Sequence, residues 1–385
     1  MWENFDVLVV GSGLSGAVLA ERYAELGKKV LVLEKRDHIG GNCYDEVNAE
    51  GIRVSKYGAH IFHTNDEDVH SYIHRFSEWV PYEHRVLAKV GQRFVPLPVN
   101  ISTINALFDT HLKTEAEMKD WLASQIQKFD HPVTTSEELG LSRFGKKLYE
   151  ELFLPYTQKQ WDKHPRELDA SVMARIPIRF NNDDRYFSDK YQYLPKQGYT
   201  HFFERLLAHP NIKVLLKTDY FDVKDQIGHE FEKVFYTGPI DHFFEFQQQL
   251  GEKLEYRSLR FEEEWHTVMS PADFWQPAAV VNHPQLRTPY TRSVEYKHFS
   301  RVVDEHSVQH TRTLVVNEYS TSSGEPYYPV PSDKNKRLYE RYKVQAEKLS
   351  AKGIYFVGRL ANYKYFNMDE AIKSALSLFQ QLESN

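Results

Sequence analysis

Apolar and polar positions fall into two periods along the chain, and the switches between them lay out the elements. Residues 5 to 10, "FDVLVV", form an unbroken apolar run that predicts a buried strand ending at Gly11. Apolar positions 14, 18, 19 and 26 then follow a helical spacing, with Gly27 placed to end that helix, and "KVLVLE" predicts a second buried strand ending at Glu34. Residues 65 to 80 carry a helical pattern, and "HRVLAKVGQRFVPLPVN" a hairpin turning at Gly91 and closed by Pro96 and Pro98. From 102 to 165 the period is mainly helical, with Thr135 and Glu138 at capping-box spacing and Pro155 breaking the helix of "RFGKKLYEELFLPYTQKQW".

"NIKVLLKTDYFD" and "FEKVFYTGPIDHFF" predict strands at the edges of the N-terminal sheet. Beyond them, "LEYRSLRFEEEWHT", "PAAVVNHP", "PYTRSVEYKHF" and "TLVVNEYS" alternate as strands of an antiparallel sheet do. A helical stretch at 332 to 350 leads to a strand at 354 to 357 and a final helix from about 368 to 380. In that last helix 368, 371, 372, 375, 376 and 379 share one face, and Asn367 and Glu370 have capping-box spacing.

Composition narrows the class. A chain of 385 residues with 41% hydrophobic and 26% charged positions buries a large core and usually divides into domains. The net charge of −6, with both signs interspersed, gives no basic footprint for nucleic acid. One cysteine, Cys43, excludes an intrachain disulfide and a cysteine-rich metal site. No run approaches the ~18 apolar residues of a membrane helix, and no secretory pattern precedes "FDVLVV", so the expected location is cytoplasmic.

Chemistry enters at the first turn. Gly11, Gly13 and Gly16 form G-x-G-x-x-G between the first strand and the first helix. The first glycine permits the tight turn, the second lets backbone approach a pyrophosphate, and the third lets the helix pack closely. Open N–H groups at the helix start receive the phosphates, and Glu34, about twenty residues on, accepts from a ribose. "EKRDHIGGN" adds a second glycine pair, Gly40 and Gly41; it reads as a second phosphate-proximal loop of a permanently held dinucleotide, with a plain turn as the other reading. The arrangement resembles the glutathione-reductase-type FAD domain of amine oxidases and related flavoproteins, which a C-terminal segment completes.

His60 and His63 in "AHIFHT" lack a third ligand and a helical setting, so no metal is expected there; they are structural or line a flavin pocket. Pocket-type residues gather later: Phe153, Tyr156 and Trp161, then Arg175, Arg179, Arg185 and Tyr186, with Arg292 in a strand-like run and Tyr327 and Tyr328 in "GEPYYPVP". Arginine forks and neutral tyrosine donors suit a diphosphate, and an aromatic ring suits a base, although helix packing with a charged loop is the plainer account.

The stretches "VVGSGLSGAV", "EKRDHIGGN", "HIFHT", "PYTQKQW", "RIPIRF", "DDRYFSD", "LPKQGYT", "YTGPIDHFF", "LEYRSLRFE", "VVNHP", "PYTRSVEYKHF", "YYPVP" and "GRLANYKYFNMD" together resemble the bacterial-type UDP-galactopyranose mutase family over the whole chain. The resemblance implies an α/β fold, with an FAD-binding Rossmann-like domain from 1–80, 210–245 and 350–385. It also implies a helical lid and dimerisation subdomain at 102–165, and an antiparallel-sheet substrate domain from 81–101, 166–209 and 246–349. It implies a flavin-dependent isomerase that interconverts UDP-galactopyranose and UDP-galactofuranose, through a covalent N5–sugar adduct of reduced FAD and an iminium, without net redox. A homodimer binding a nucleotide sugar, without membrane insertion, is expected.

Residue by residue, the resemblance places Arg175 and Arg292 beside the diphosphate, with Tyr186, Tyr328 and Tyr365 donating to it. Phe153 and Tyr156 would hold the uracil, and Trp161 would lie near the sugar in a mobile lid helix. Arg175, Arg292, His63 and Asn367 are the expected catalytic residues. The cofactor would be held by Gly11, Ser12, Gly13, Gly16, Glu34, Lys35, Gly41 and Asn42 at one end. His60, Ile61, Gly358, Arg359, Met368 and Asp369 would hold the other. Two positions depart from the commoner pattern, Ala59 for a proline and Asn367 for an aspartate. They keep open a mutase of another nucleotide sugar, such as dTDP-fucopyranose; an amine-oxidase-like oxidoreductase and a non-catalytic nucleotide-sugar-binding protein are the more distant alternatives.

Overall fold

The computed structural model describes residues 4–227, 231–245, 252–303 and 311–384. The parts of the expected domains at 228–230, 246–251 and 304–310 lie outside these. Five parallel strands form the first sheet, in the order Ile212–Leu215, Val30–Leu33, Val7–Val10, Lys233–Tyr236, Ile354–Phe356. Lys233–Tyr236 is thus an interior strand and not an edge, because Ile354–Phe356 pairs on its far side. The helices Leu14–Glu25 and Met368–Glu383 pack together on one face, so both ends of the chain build one core with Phe202 and Phe203 of the helix Tyr199–Leu206. The other face is covered by Ile240–Glu245 and Asp333–Ser350, through Phe243, Phe244, Leu338 and Tyr342.

A seven-stranded sheet stands beside it, ordered Tyr328–Pro329, Tyr256–Thr267, Arg312–Thr321, Arg292–Glu295, Val280–Asn282, Val86–Val90, Arg93–Leu97. It is mixed and not wholly antiparallel: Val280–Asn282 runs parallel to Val86–Val90. The alternation read in "PYTRSVEYKHF" ends at Glu295, and Lys297–Val303 is a helix. A small antiparallel sheet of Phe62–Thr64, Tyr191–Pro195 and Trp79–Pro81 bridges the two larger sheets, and Trp79–Pro81 replaces the end of the helix expected at 65 to 80, which spans Glu67–Ile73.

Five helical segments between Ile101 and Trp161 share one core of Ile104, Met118, Phe144, Leu148 and Phe153. The break in this region falls at Gly145 (φ 73°, ψ 167°), not at Pro155. Pro155 sits in the first turn of the helix Leu154–Trp161, after a π-helical turn at Tyr149–Phe153. A proline in the first helical turn removes a donor that has no partner there anyway, and the wider turn before it changes the hydrogen-bond register.

Gly145 yields the first prediction. A Cβ at this position would lie 2.5 Å from Gln125, in a backbone conformation open almost only to glycine. Gly145→Ala is expected to lower stability by roughly 1–3 kcal/mol in urea denaturation; an unchanged midpoint would show that the kink is not required.

Candidate functional site

A cleft of about 440 Å³ runs along the C-terminal ends of the parallel strands, from Glu34 and Asp219 at one end to His60, Arg359 and Asn367 at the other. Strand order places it where the chain order reverses, between Val7–Val10 and its neighbour Lys233–Tyr236, the position at which a parallel sheet opens to a ligand. Gly11 has φ +100°, and a Cβ there would meet Thr237 Oγ1 at 2.2 Å; a Cβ on Gly16 would strike the Gly11 carbonyl at 2.0 Å. Gly13 starts the helix with no side-chain cap, leaving the first-turn N–H groups open. Gly41 faces Gly13 so closely that its Cβ would lie 3.0 Å from the Gly13 Cα.

Glu34 is buried, and its Oε2 accepts from Ser12 N at 2.9 Å and Ser12 Oγ at 2.7 Å. The expected acid therefore also braces the glycine loop. Arg36, missed in the sequence, contributes a buried Nη1 with no protein partner, while its Nη2 pairs with Glu325 at 2.8 Å and its guanidinium lies 4.2 Å from the Tyr57 ring centroid. Lys35 also pairs with Glu325, at 2.6 Å. Two glycine loops in contact, an uncapped helix start and an orphan arginine donor fit a dinucleotide pyrophosphate. Asn42 and Met368 line the same cleft, Ile61 is half-buried beside it, and Gly358 comes close enough that a Cβ would lie 3.2 Å from Ser15 Oγ.

His60 hydrogen-bonds through Nδ1 to the Gly58 carbonyl at 2.8 Å, so that nitrogen carries the proton and Nε2 keeps a free lone pair. Burial lowers its pKa to about 4, and the ring is neutral at pH 7. His63 points elsewhere: its Nδ1 is 3.1 Å from Asp189 Oδ2 and its ring stacks on Phe187 at 3.7 Å. Asp369 is not among the cleft-lining residues; its Oδ1 is buried without a partner, and burial raises its pKa.

Beyond the His60 and Arg359 end of the cleft the structure gathers a second group. Tyr328 and Tyr365 stack at 5.2 Å and 8°, the Arg175 guanidinium lies 3.6 Å from the Tyr365 centroid, and Arg359 is 5.3 and 5.4 Å from the two rings. Arg359 is also held by the Phe366 carbonyl, to which its Nε donates at 3.1 Å. Trp161 is buried behind this pair with Leu168 and Val330. Arg292 donates through Nε to Glu318, a carboxylate only 1% exposed. Burial is the largest single influence and opposes the Arg292 charge, but the Glu318 carboxylate together with Tyr328 and Tyr156 outweighs it and raises the pKa. Tyr156, Tyr186 and Tyr328 all lie within the field of Arg292. Among the described residues, no hydroxyl of Tyr156, Tyr186, Tyr328 or Tyr365 has a protein partner. Burial pushes Tyr328 up to about 12, which keeps it a neutral O–H donor.

Some expected members stand apart. Phe153 is withdrawn into the helical core against Phe144, at 4.2 Å. Arg179 and Arg185 are consumed by Asp183, at 3.1 and 2.9 Å. The helix Leu154–Trp161 is pinned by its Gln160 carbonyl, which accepts from Arg257 Nε at 3.0 Å and Ser320 Oγ at 2.6 Å. Arg175, in contrast, begins residues 175–190, a segment without a helix or ladder strand. Of the two departures, Asn367 touches the site, with Oδ1 3.4 Å from Arg175 Nη2, whereas Ala59 packs toward the core of the mixed sheet. Glu370 closes its half of the expected box, accepting from Asn367 N at 2.8 Å. The buried Glu318 carried one signal in the sequence, a lone acid in the apolar run "TLVVNEYS". Among the described residues no group of three or more metal-ligating side chains is present, and no helix is long and apolar enough to cross a membrane.

Comparison with known proteins agrees with this geometry. A family model described as UDP-galactopyranose mutase matches residues 151–365, and one described as an NAD(P)-binding Rossmann-like domain matches 9–76. A probable UDP-galactopyranose mutase of Klebsiella pneumoniae is 38% identical over 386 residues, covering 99% of this chain and 96% of that one. A dTDP-fucopyranose mutase of Escherichia coli is likewise 38% identical, over 381 residues and 97% of each chain. The crystal structure of a reduced UDP-galactopyranose mutase superposes with a TM-score of 0.77 over 99% of this chain and 94% of that one; at 16% identity it shows the shared fold.

The buried histidines fix how stability changes with pH. Burial lowers His84 to about 3 and His60 to about 4, both from 6.5. Between those values and 6.5 the unfolded chain takes up protons that the folded chain refuses, so stability is full above 6.5 and falls as pH drops toward 4. Each unit of depression corresponds to about 1.4 kcal/mol. Urea midpoints are expected to fall from pH 7 to pH 4, and His84→Gln to flatten that slope; a midpoint that rises on acidification would contradict the neutral burial.

Proposed function

Because the chain belongs to the UDP-galactopyranose mutase family, we propose that it is an isomerase that interconverts UDP-galactopyranose and UDP-galactofuranose with reduced FAD and no net redox change. The observation that carries this reading is the pairing of Arg292 and Arg175 with four unpartnered phenols at the ring end of a dinucleotide cleft.

The FAD pyrophosphate is assigned to the Gly11–Gly16 and Gly40–Asn42 loops with Arg36. Its adenosine end is assigned to Glu34 and Lys35, and its ring end to His60, Ile61, Gly358, Arg359 and the helix start at Met368, with Asp369, the next residue, turned out of the cleft. When bound, reduced FAD would supply a nucleophilic centre for the anomeric carbon. The residues of the chain do the rest. Tyr156 takes the base, with Phe153 buttressing its helix from the core, and Trp161 backs the Tyr328–Tyr365 pair near the sugar. Arg292 and Arg175 stabilise charge on the departing diphosphate, and Arg292, fixed by the buried Glu318, is the preorganised donor of the two. Tyr186, Tyr328 and Tyr365 donate neutral hydrogen bonds to the same oxygens and add no charge. His60 offers an acceptor fixed in one tautomer by Gly58. His63, held by Asp189 and stacked on Phe187, positions the segment that carries His60. Asn367 orients Arg175 through its amide oxygen.

A second reading, a mutase of dTDP-fucopyranose, is kept open by the equal identity to both relatives. Both sugars leave as nucleoside diphosphates, so the arginine and tyrosine group serves either. The deciding experiment supplies dithionite-reduced protein with UDP-galactofuranose and, separately, dTDP-fucopyranose, and separates products by chromatography. Turnover of the first is expected; turnover of the second alone would overturn the choice of sugar. Flavin reduced by the substrate itself would replace the mutase reading with an oxidoreductase. Arg292→Ala is expected to lower kcat by about 10²-fold or more, and near-normal turnover in that variant would remove Arg292 from the mechanism.

A further inference from the structure

We propose that Lys159 is a positioning residue, a strut that fixes the distance between the helix carrying Tyr156 and the strand carrying Arg292. The proposal rests on the nucleotide-sugar reading above and adds a residue that the reading does not use. Lys159 Nζ donates into a cage of four backbone carbonyls: those of His283, Gln285 at 3.1 Å, Thr288 at 2.9 Å and Tyr290 at 2.9 Å. An ammonium has three N–H groups, so four acceptors around it are shared, as around a small bound cation. Without the charge, four carbonyl dipoles would converge on one point and repel, and the loop 283–290 would have no reason to hold this shape.

The cage is joined to Arg292 by a short run of bonds. Thr291 follows it directly, and both Thr291 N, at 2.8 Å, and Thr291 Oγ1, at 3.0 Å, donate to the Glu318 carbonyl. The Glu318 carboxylate then holds Arg292 Nε. On the helix side, Tyr156 precedes Lys159 by three residues and therefore shares its face. The neighbouring Gln160 carbonyl is bound by Ser320 Oγ at 2.6 Å, two residues from Glu318 on the same strand. The helix is thus tied to both strands that build the arginine site. A bound nucleoside diphosphate spans these two anchors, the base on the helix and the diphosphate on Arg292. Ligands that grip two anchors gain from a fixed spacing, and lose that gain when the spacing floats, even when each anchor is intact.

This predicts a split that a purely structural lysine would not produce. In the FAD-loaded protein, Lys159→Met keeps the apolar stem and removes the donors. It is expected to weaken UDP binding about tenfold or more and to raise KM, while uridine, which uses only the helix anchor, binds within about twofold of wild type. Thr291→Val breaks the next bond of the run at a distance from the helix and is expected to show the same split more weakly; it serves if the first variant does not fold. Calorimetry with UDP and with uridine reads both. Equal weakening of the two ligands, or unchanged UDP affinity in a folded variant, would overturn the assignment of Lys159. Failure of the wild-type protein to bind UDP would instead overturn the functional reading on which it rests.

Discussion

Glu318 is a buried carboxylate, 1% exposed, held against the half-buried guanidinium of Arg292, and much of the site is arranged around that pair. Removing one partner of such a pair leaves an uncompensated buried charge, which typically costs about 3–5 kcal/mol. One Glu318 oxygen takes the Arg292 Nε; the other, Oε1, has no partner and faces Gly58, where an added Cβ would come within 3.2 Å. Gly58, at φ +94°, in turn supplies the carbonyl that fixes the His60 tautomer. The same acid therefore sets the position of the arginine and limits the bulk of the turn leading to the cleft. The position of Arg292 and the turn that orients His60 thus meet at one buried carboxylate.

The remaining polar groups follow a common rule: they are kept neutral where charge would compete. Burial holds Tyr328 as a phenol and His60 as an imidazole. Arg175 is left to an aromatic face and an amide oxygen in place of a carboxylate. The result is a group whose positive charge is balanced internally only at Arg292, which suits an incoming dianionic diphosphate. No side-chain pair in it is arranged as acid, base and nucleophile, consistent with a division of labour in which the cofactor carries the bond-making and the protein the orientation and electrostatics.

The local half of this design was legible in the sequence, and the long-range half was not. The glycine loop, Glu34, the final helix and the phenols each announce themselves through spacing or residue type, and the structure places them on one cleft and its continuation. Lys233–Tyr236 read as an edge because nothing in its four residues reports that Ile354–Phe356 will pair beyond it. The parallel pairing of Val280–Asn282 with Val86–Val90 is equally silent, since alternation is the same in both directions. Lys159 carries no signal in the sequence because its partners are backbone carbonyls, which every residue has. Pro155 misled for a related reason: whether a proline breaks a helix depends on the turn before it, and that turn is π-helical here.

The stretch "YKYFNMDEAI" joins both halves, and its chemistry bears on how Arg175 is left available to a ligand. As a helix start it is satisfied by Glu370 on the Asn367 backbone, a bond that an aspartate at 367 would leave unchanged. What differs is the partner of Arg175. An aspartate would form an ion pair there, worth about 0–1 kcal/mol at so exposed a site, and would compete with the diphosphate for the guanidinium; the amide leaves that charge to the ligand. Arg175 in this reading contacts the part that UDP-galactose and dTDP-fucose have in common. In the proposed reaction Asn367 would tune how tightly the leaving group is held, and the discrimination between a sugar with a 6-hydroxyl and one without it would fall to contacts outside the arginine and tyrosine group. A buried donor or acceptor facing that hydroxyl would give strong selectivity, and an apolar wall would accept both sugars.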